Sequence, residues 1–195
     1  MAKSVDFYFD YGSPTSYLAY TQMPGVAKRT GAQVNYLPIL LGAIFQATGN
    51  RSPVETPAKG KWMQGDLQHF AARYQVPYQW NPYFPINTLA LMRGATYAAR
   101  EGFLVPFSDA IYKAIWADGL NMADPAVIGK VLQEAGIDAQ KVLAGTQEQA
   151  VKDALKDATQ RAVARGLFGA PTFFVGERMH FGQDRLPYVE ELLRA

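Results

Sequence analysis

The sequence contains no cysteine. That absence excludes a disulfide framework, a thiol nucleophile and a thiolate metal site, and with them any dithiol exchange carried out by the protein itself. Histidine is nearly as scarce. His69 and His180 are the only two, too few and too far apart for a ligand spacing, so each reads as a helix-surface or strand residue and no metal is expected. Charge of one sign is also lacking: the formal net charge is +2, and the aromatics are spread along the chain. Neither a nucleic-acid stripe nor a membrane-binding face is expected from that balance. No apolar run is long enough to span a bilayer, and Asp6 and Asp10 interrupt the first apolar stretch, which does not read as a secretory signal. The expectation is a cytoplasmic enzyme acting on a small, partly apolar ligand.

What is present is ample apolar material. With 195 residues and 49% hydrophobic content the chain can bury a substantial core as one folded unit. Val5 to Phe9 alternates as a strand does, Gly12-Ser13-Pro14 breaks the run, and a helical pattern follows through Tyr17, Leu18 and Val26. Gly31 closes that helix and Val34 to Leu37 reads as a second strand, giving a βαβ opening with a right-handed crossover. From about residue 41 to 165 the pattern is mostly helical, clearest over Asp66 to Tyr74, Ile86 to Arg100, Phe103 to Trp116 and Ala126 to Glu134. Asp124-Pro125 reads as a cap followed by a first-position proline, and Thr146 with Gln149 as a capping box opening a helix toward Arg165. Two proline-bearing stretches, Asn50 to Pro57 and Pro77 to Pro85, read as loops. Strand character returns at Thr172 to Val175 and Arg178 to Phe181 across a Gly176-Glu177 turn, and Leu186 to Arg194 reads as a last helix. The predicted order is βαβ, a long helical insertion, then ββα, with one mixed sheet covered by helices.

Two motifs could carry chemistry. In Asp10-Tyr11-Gly12-Ser13-Pro14-Thr15-Ser16-Tyr17, Ser13 has the makings of an N-cap and Pro14 of a first helical residue, so the motif could serve only to start a helix. The same geometry would let unpaired N–H groups and the positive end of the helix stabilise an anion beside the Ser13 hydroxyl, a thiolate for instance. In Gly169-Ala170-Pro171-Thr172 the proline either enters a strand where no ladder bond is missed, or follows a cis peptide that offers the Ala170 backbone to an extended ligand. Ser13 lacks the G-x-S-x-G elbow of a hydrolase, and the glycines form no nucleotide fingerprint.

Taken together and in this order, the motifs resemble the DsbA-like branch of thioredoxin folds. Within it they resemble the kappa-class glutathione transferases and the 2-hydroxychromene-2-carboxylate isomerases of aromatic degradation. The matching residues run from Asp6-Phe7-Tyr8-Phe9-Asp10 and Ser13 to Ala19, through the Leu41-Gly42 loop, Gly49-Asn50 and Lys59, to Phe168 to Phe174 and Phe181 to Leu186. The resemblance implies an α/β, thioredoxin-like fold (βαβ–ββα) with a large all-helical insertion. Residues 1–195 would form a single DsbA-like unit, its thioredoxin-like part at 1–40 plus 166–195 and its insertion at 41–165. Ser13 and Ser16 stand where oxidoreductases of the branch carry cysteines.

The resemblance also implies a glutathione site. Ser13 would hold and activate the sulfur, Asn50 and Lys59 would belong to the polar loop around the ligand, and Ala170 before Pro171 would pair with its cysteinyl backbone. Phe181, Gly182, Gln183 and Asp184 would receive the γ-glutamyl end, the Asp184 carboxylate answering an ammonium group. A substrate pocket would involve Phe45, Trp62, Trp80 and Phe84. Here the chain departs from the isomerases, with Phe45 in place of a lysine and Phe84 in place of a tyrosine. The implied activity is isomerisation through reversible thiol addition to an activated aromatic enone, with conjugation or peroxide reduction as a second reading and a non-catalytic binding module as a third. The implied partners are glutathione and a small aromatic hydroxy-acid or related electrophile, and the implied assembly is a homodimer.

Overall fold

The computed structural model describes residues 3–195. Strand β1 (Ser4–Phe9) buries Val5, Phe7 and Phe9 completely, as its alternation requires. Helix α1 (Pro14–Thr30) starts at Ser13, whose backbone is extended and whose hydroxyl accepts from Ser16 N–H. It ends where Gly31, at φ 68°, returns its N–H to Ala27 C=O behind Lys28 and Arg29, a left-handed cap that glycine supplies without steric cost. Strand β2 (Gln33–Pro38) then pairs parallel to β1, Phe7 opposite Tyr36.

Seven helices follow before the chain returns to the sheet: α2 (Leu41–Thr48), α3 (Pro57–Tyr74), α4 (Leu89–Arg100), α5 (Leu104–Tyr112), α6 (Pro125–Glu134), α7 (Ala139–Gln147) and α8 (Gln149–Ala164). Strands β3 (Thr172–Val175) and β4 (Arg178–Phe181) pair antiparallel, and α9 (Leu186–Arg194) closes the described chain. The sheet order is β2-β1-β3-β4, with β1 antiparallel to β3. This is the expected mixed sheet, and the βαβ and ββα units lie on either side of the helical run.

The sheet separates two apolar layers. Phe7 and Phe9 stack on one face, Phe7 lying 5.1 Å from the ring of Phe173, and this core runs on through α1, α9, α4 and α5 to Trp116. On the other face Tyr8 and Phe174 pack with Ile44 of α2, Ala162 of α8, and Ile39 and Leu167 from the segments beside those helices. Arg165, just past α8, fastens this second layer. Its guanidinium reaches Asp6 Oδ2 (2.6 Å), the Tyr8 hydroxyl (3.2 Å) and Gly176 C=O (2.9 Å), and lies 3.8 Å over the Phe174 ring.

Several helix boundaries differ from the sequence reading. Thr146 opens no helix: it is buried within α7 and its hydroxyl donates to Leu143 C=O (2.7 Å), while the chain breaks at Glu148 and α8 starts at Gln149. A mid-helix threonine can turn its hydroxyl back to a carbonyl on the preceding turn, so S/T-x-x-Q alone does not mark a start. The Leu41-Gly42 loop is the first turn of α2, and α3 begins at Pro57, nine residues ahead of Asp66. The run to Trp116 is α5 followed by a π-helical turn over Lys113–Ala117. The Asp124 cap, by contrast, is formed, its carboxylate accepting from Ala126 N–H (2.8 Å).

Candidate functional site

The end of β1 delivers Asp10 to Ser13 to the edge of the sheet, where packing leaves this turn little freedom. Tyr11 is wholly buried; its C=O accepts from Trp116 Nε1 (2.8 Å) and its hydroxyl pairs with Ser108 Oγ (2.7 Å). Desolvation pushes the Tyr11 hydroxyl far above the ordinary tyrosine range, which leaves it a neutral structural group. Asp10 is equally buried. Its Oδ1 accepts from Gly12 N–H and Thr88 Oγ1 (both 2.8 Å), and its Oδ2 accepts from Leu41 N–H (2.8 Å). One carboxylate thus ties the Ser13 turn to the starts of α2 and α4. Burial raises the Asp10 carboxyl above its usual range, and the hydrogen bonds from Leu41, Gly12 and Thr88 pull it back in part.

Ser13 sits at the head of α1 with 4% of its surface exposed. Its Oγ accepts from Ser16 N–H (3.1 Å), donates to Ala170 C=O (3.0 Å) and lies 2.9 Å from Thr15 Oγ1. Thr15 Oγ1 is also within 3.3 Å of the Ala170 oxygen. Two hydroxyls therefore converge on one backbone carbonyl beside a helix N-terminus: Ser13 caps α1, as the capping reading expects, and its hydroxyl faces the Ala170 backbone. Ser16 is wholly buried, so the second of the two serines offers nothing to a ligand. The Ala170–Pro171 bond is cis, as is Phe84–Pro85.

The segments around Pro171 are laced together. Pro171 C=O accepts from Gly182 N–H (3.0 Å), Asn50 Nδ2 donates to Phe168 C=O (2.8 Å), and the Phe168 and Phe181 rings lie 4.8 Å apart. A Cβ on Gly169 would stand 2.7 Å from the Phe181 ring, so glycine lets that ring lie close over the segment. Buried Gln183 gives its C=O to the Tyr74 hydroxyl (2.9 Å), which anchors the segment after β4 to α3. Asp184 is exposed and pairs with Arg185 at 3.4 Å. Partial burial, then the charge of Asp184, raises the Asp66 carboxyl, and His69 pulls it back in part.

The structure therefore brings together Ser13 and Ala170, and Pro171 and Gly182, through direct hydrogen bonds, joins Asn50 and Phe181 to them through Phe168, and sets Gln183 and Asp184 next in the chain. Lys59 lies apart, exposed on the first turn of α3 with no hydrogen bond or ion pair among the described residues, and Trp62, one turn on, is 67% exposed. On the substrate side Trp80 and Phe84 pack against each other (5.1 Å), and Phe84 against Trp116 (5.8 Å). Phe45, half-buried on α2, joins no ring contact with them among the described residues. Asp10, Thr15 and Tyr74 were not singled out from the sequence as site residues. Thr15 could have been, since it lies within the Ser13 motif. Asp10 and Tyr74 act through partners 78 and 109 residues away, which no local signal marks.

The sequence pattern of the DSBA-like thioredoxin domain matches residues 4–194. A 2-hydroxychromene-2-carboxylate isomerase of Sphingobium xenophagum is 34% identical over 99% of both chains. The chain belongs to the DSBA-like thioredoxin family and, within it, to the 2-hydroxychromene-2-carboxylate isomerase group. The solved structure of such an isomerase superposes with a TM-score of 0.87 at 28% identity, covering 96% of this chain and 93% of that one. The human enzyme named glutathione S-transferase kappa 1 is more distant, 26% identical over 99% of this chain and 92% of its own. These relatives are enzymes, and the family match with the superposition on the solved isomerase identifies the fold as the DsbA-like thioredoxin type.

Proposed function

We propose that this protein is a glutathione-dependent isomerase of the 2-hydroxychromene-2-carboxylate isomerase type. The observation that carries the reading is the convergence of the Ser13 and Thr15 hydroxyls on Ala170 C=O at the N-terminus of α1. The residues present fit glutathione: among the described residues the Ala170 carbonyl is held by side-chain hydroxyls alone, which a ligand N–H can replace. Held by Ser13 and the Ala170 backbone, glutathione would supply a thiol for reversible addition to an activated carbon–carbon double bond, the chemistry that isomerisation about that bond needs.

The chain's own part is electrostatic. Ser13 turns its O–H from Ala170 C=O toward the sulfur, and its oxygen keeps the Ser16 N–H that caps α1. Thr15 remains within reach of the Ala170 carbonyl. The hydroxyl and the positive end of α1 then favour the anionic form of the sulfur. Asn50, Phe181 and Gln183 border the ligand, and Asp184 with Asp66 receives its ammonium group. Trp80 and Phe84 form an apolar wall for an aromatic substrate, while Phe45, Lys59 and Trp62, which no contact joins to that wall among the described residues, are lesser candidates for the pocket. The protein contributes no covalent step.

Conjugation by a kappa-class-type transferase is the second reading, favoured by the apolar Phe45 and Phe84. Both readings are separated by following 2-hydroxychromene-2-carboxylate and glutathione together. Isomerisation with glutathione undiminished after many turnovers supports the proposal; stoichiometric loss of the thiol assigns the protein to the transferases. No turnover of either kind, with glutathione bound, leaves a binding module.

A further inference from the structure

A cleft of about 680 Å³ opens between α2, α4 and α8. Its lining shares no residue with the Ser13 site. Each helix contributes one stripe at the i, i+4 spacing that places side chains on a common face. Ala43 and Ala47 come from α2, Leu89 and Arg93 from α4, and Lys152, Lys156 and Gln160 from α8, with Leu155, Thr159 and Val163 alongside. Phe45 stands two positions from each alanine, about 200° around α2, and so belongs to the opposite face.

The cleft is there because its α2 wall is built of alanines, too short to fill the gap to α8, while the backbone around it is fixed. Leu40 N–H donates to Thr159 Oγ1 (3.1 Å) and Leu41 N–H to the buried Asp10 (2.8 Å), so α2 cannot collapse onto α8. The floor is apolar, from Leu40, Leu89, Leu155 and Val163. Arg93, Lys152 and Lys156 carry no ion pair among the described residues; Asp153 is the one acid in the lining and accepts from Gln149 Nε2 (2.9 Å). Three cations against one carboxylate over an apolar floor complement a molecule with an apolar body and an anionic end. The volume lies in the range of about 300–1,000 Å³ typical of small-molecule sites.

We propose that this cleft is a second ligand site, specific for an aromatic anion such as an aryl carboxylate or sulfonate. The anionic group lies against Arg93, Lys152 and Lys156, and the ring lies on Leu40, Leu89 and the two alanines. The proposal depends on none of the chemistry assigned to Ser13.

The probe is 8-anilinonaphthalene-1-sulfonate, titrated by fluorescence into the full chain with and without saturating S-hexylglutathione to block the Ser13 site. One site per chain that survives the blocker is expected, displaced by 1-naphthoate but not by naphthalene. Ala47→Trp, which fills the cleft from an exposed position, and separately Lys152→Glu with Lys156→Glu on the α8 surface, should each weaken that site at least tenfold. The glutathione-induced thermal shift should be unchanged in both variants. Loss of binding under the blocker, or equal affinity in all variants, overturns the proposal. So does a change of oligomeric state in Ala47→Trp by sedimentation, which would make the cleft an interface between copies.

Discussion

At the scale of single residues, the hydroxyl of Ser13 has two structural tasks before any catalytic one: it caps α1 and bonds to Ala170 C=O. Ser13→Ala removes both and should cost about 1 kcal/mol from the lost cap, seen as a lower melting temperature. A purely structural serine would stop there. If Ser13 also holds the sulfur, the ultraviolet thiolate absorbance of bound glutathione should titrate at higher pH in Ser13→Ala, moving toward the unperturbed thiol value of about 8.5, and kcat should fall more than stability explains. Thr15→Val should leave the fold intact and shift that titration less, since Thr15 touches the carbonyl and the Ser13 hydroxyl but does not itself cap α1. An unchanged titration in both variants would return Ser13 to helix capping alone. Gly169→Ala tests the neighbouring contact. The new methyl group must displace the Phe181 ring, and glutathione affinity should drop by about tenfold or more while far-ultraviolet dichroism stays unchanged.

At the scale of elements, Asp10 couples three of them, and its titration has a definite sign. Its native carboxyl is raised above the ordinary value of 3.8 by burial, so in the acid window just above that value the native state binds more protons than the unfolded chain. Stability from this group is therefore greatest at low pH and is lost as pH rises through the native value. Asp10→Asn removes that dependence. It also turns one amide N–H toward the donor Leu41 N–H, because all three partners of the carboxylate are donors, and should cost about 1–3 kcal/mol at neutral pH. Melting temperatures of both proteins against pH check this: the gap between them should widen on the acid side, and parallel curves would contradict it.

The same residue marks where sequence legibility ends. The strands and α1 were readable because period-two alternation, Ser13-Pro14 and Gly31 are local signals with local causes. The candidate motifs at Ser13 and Pro171 were readable for the same reason. Helix α2 was not, because it is short and starts without a side-chain cap, and its start is held instead by Asp10 and Thr159 from distant segments. The break between α7 and α8 was misplaced because Thr146 bonds backward inside a helix. What the chain spacing hides is any role assigned by a partner brought near only by the completed fold.

At the scale of the whole molecule, assembly and cofactor binding are the two remaining expectations. No described helix is long and apolar enough to cross a membrane. A homodimer of C2 symmetry is the assembly that the resemblance implies. Sedimentation velocity across a hundredfold range of concentration should show it, and a monomer throughout would exclude it. Glutathione binding acts on the global unfolding equilibrium, because the proposed site joins the N-terminus of α1, the loop after α2, the Ala170 segment and the residues after β4. None of these is assembled in the unfolded chain. A ligand at a hundred times its dissociation constant then stabilises the native state by about 2.7 kcal/mol. For a chain of this length each kcal/mol raises the melting temperature by about 2–4 °C, so reduced glutathione should raise it by about 5–10 °C. Ophthalmic acid, which replaces the thiol with a methyl group, should give a smaller shift in the wild type and the same shift as glutathione in Ser13→Ala, since only the sulfur meets that hydroxyl. Equal shifts in the wild type would place the sulfur away from Ser13, and no shift at saturating glutathione would remove the cofactor from the proposed function.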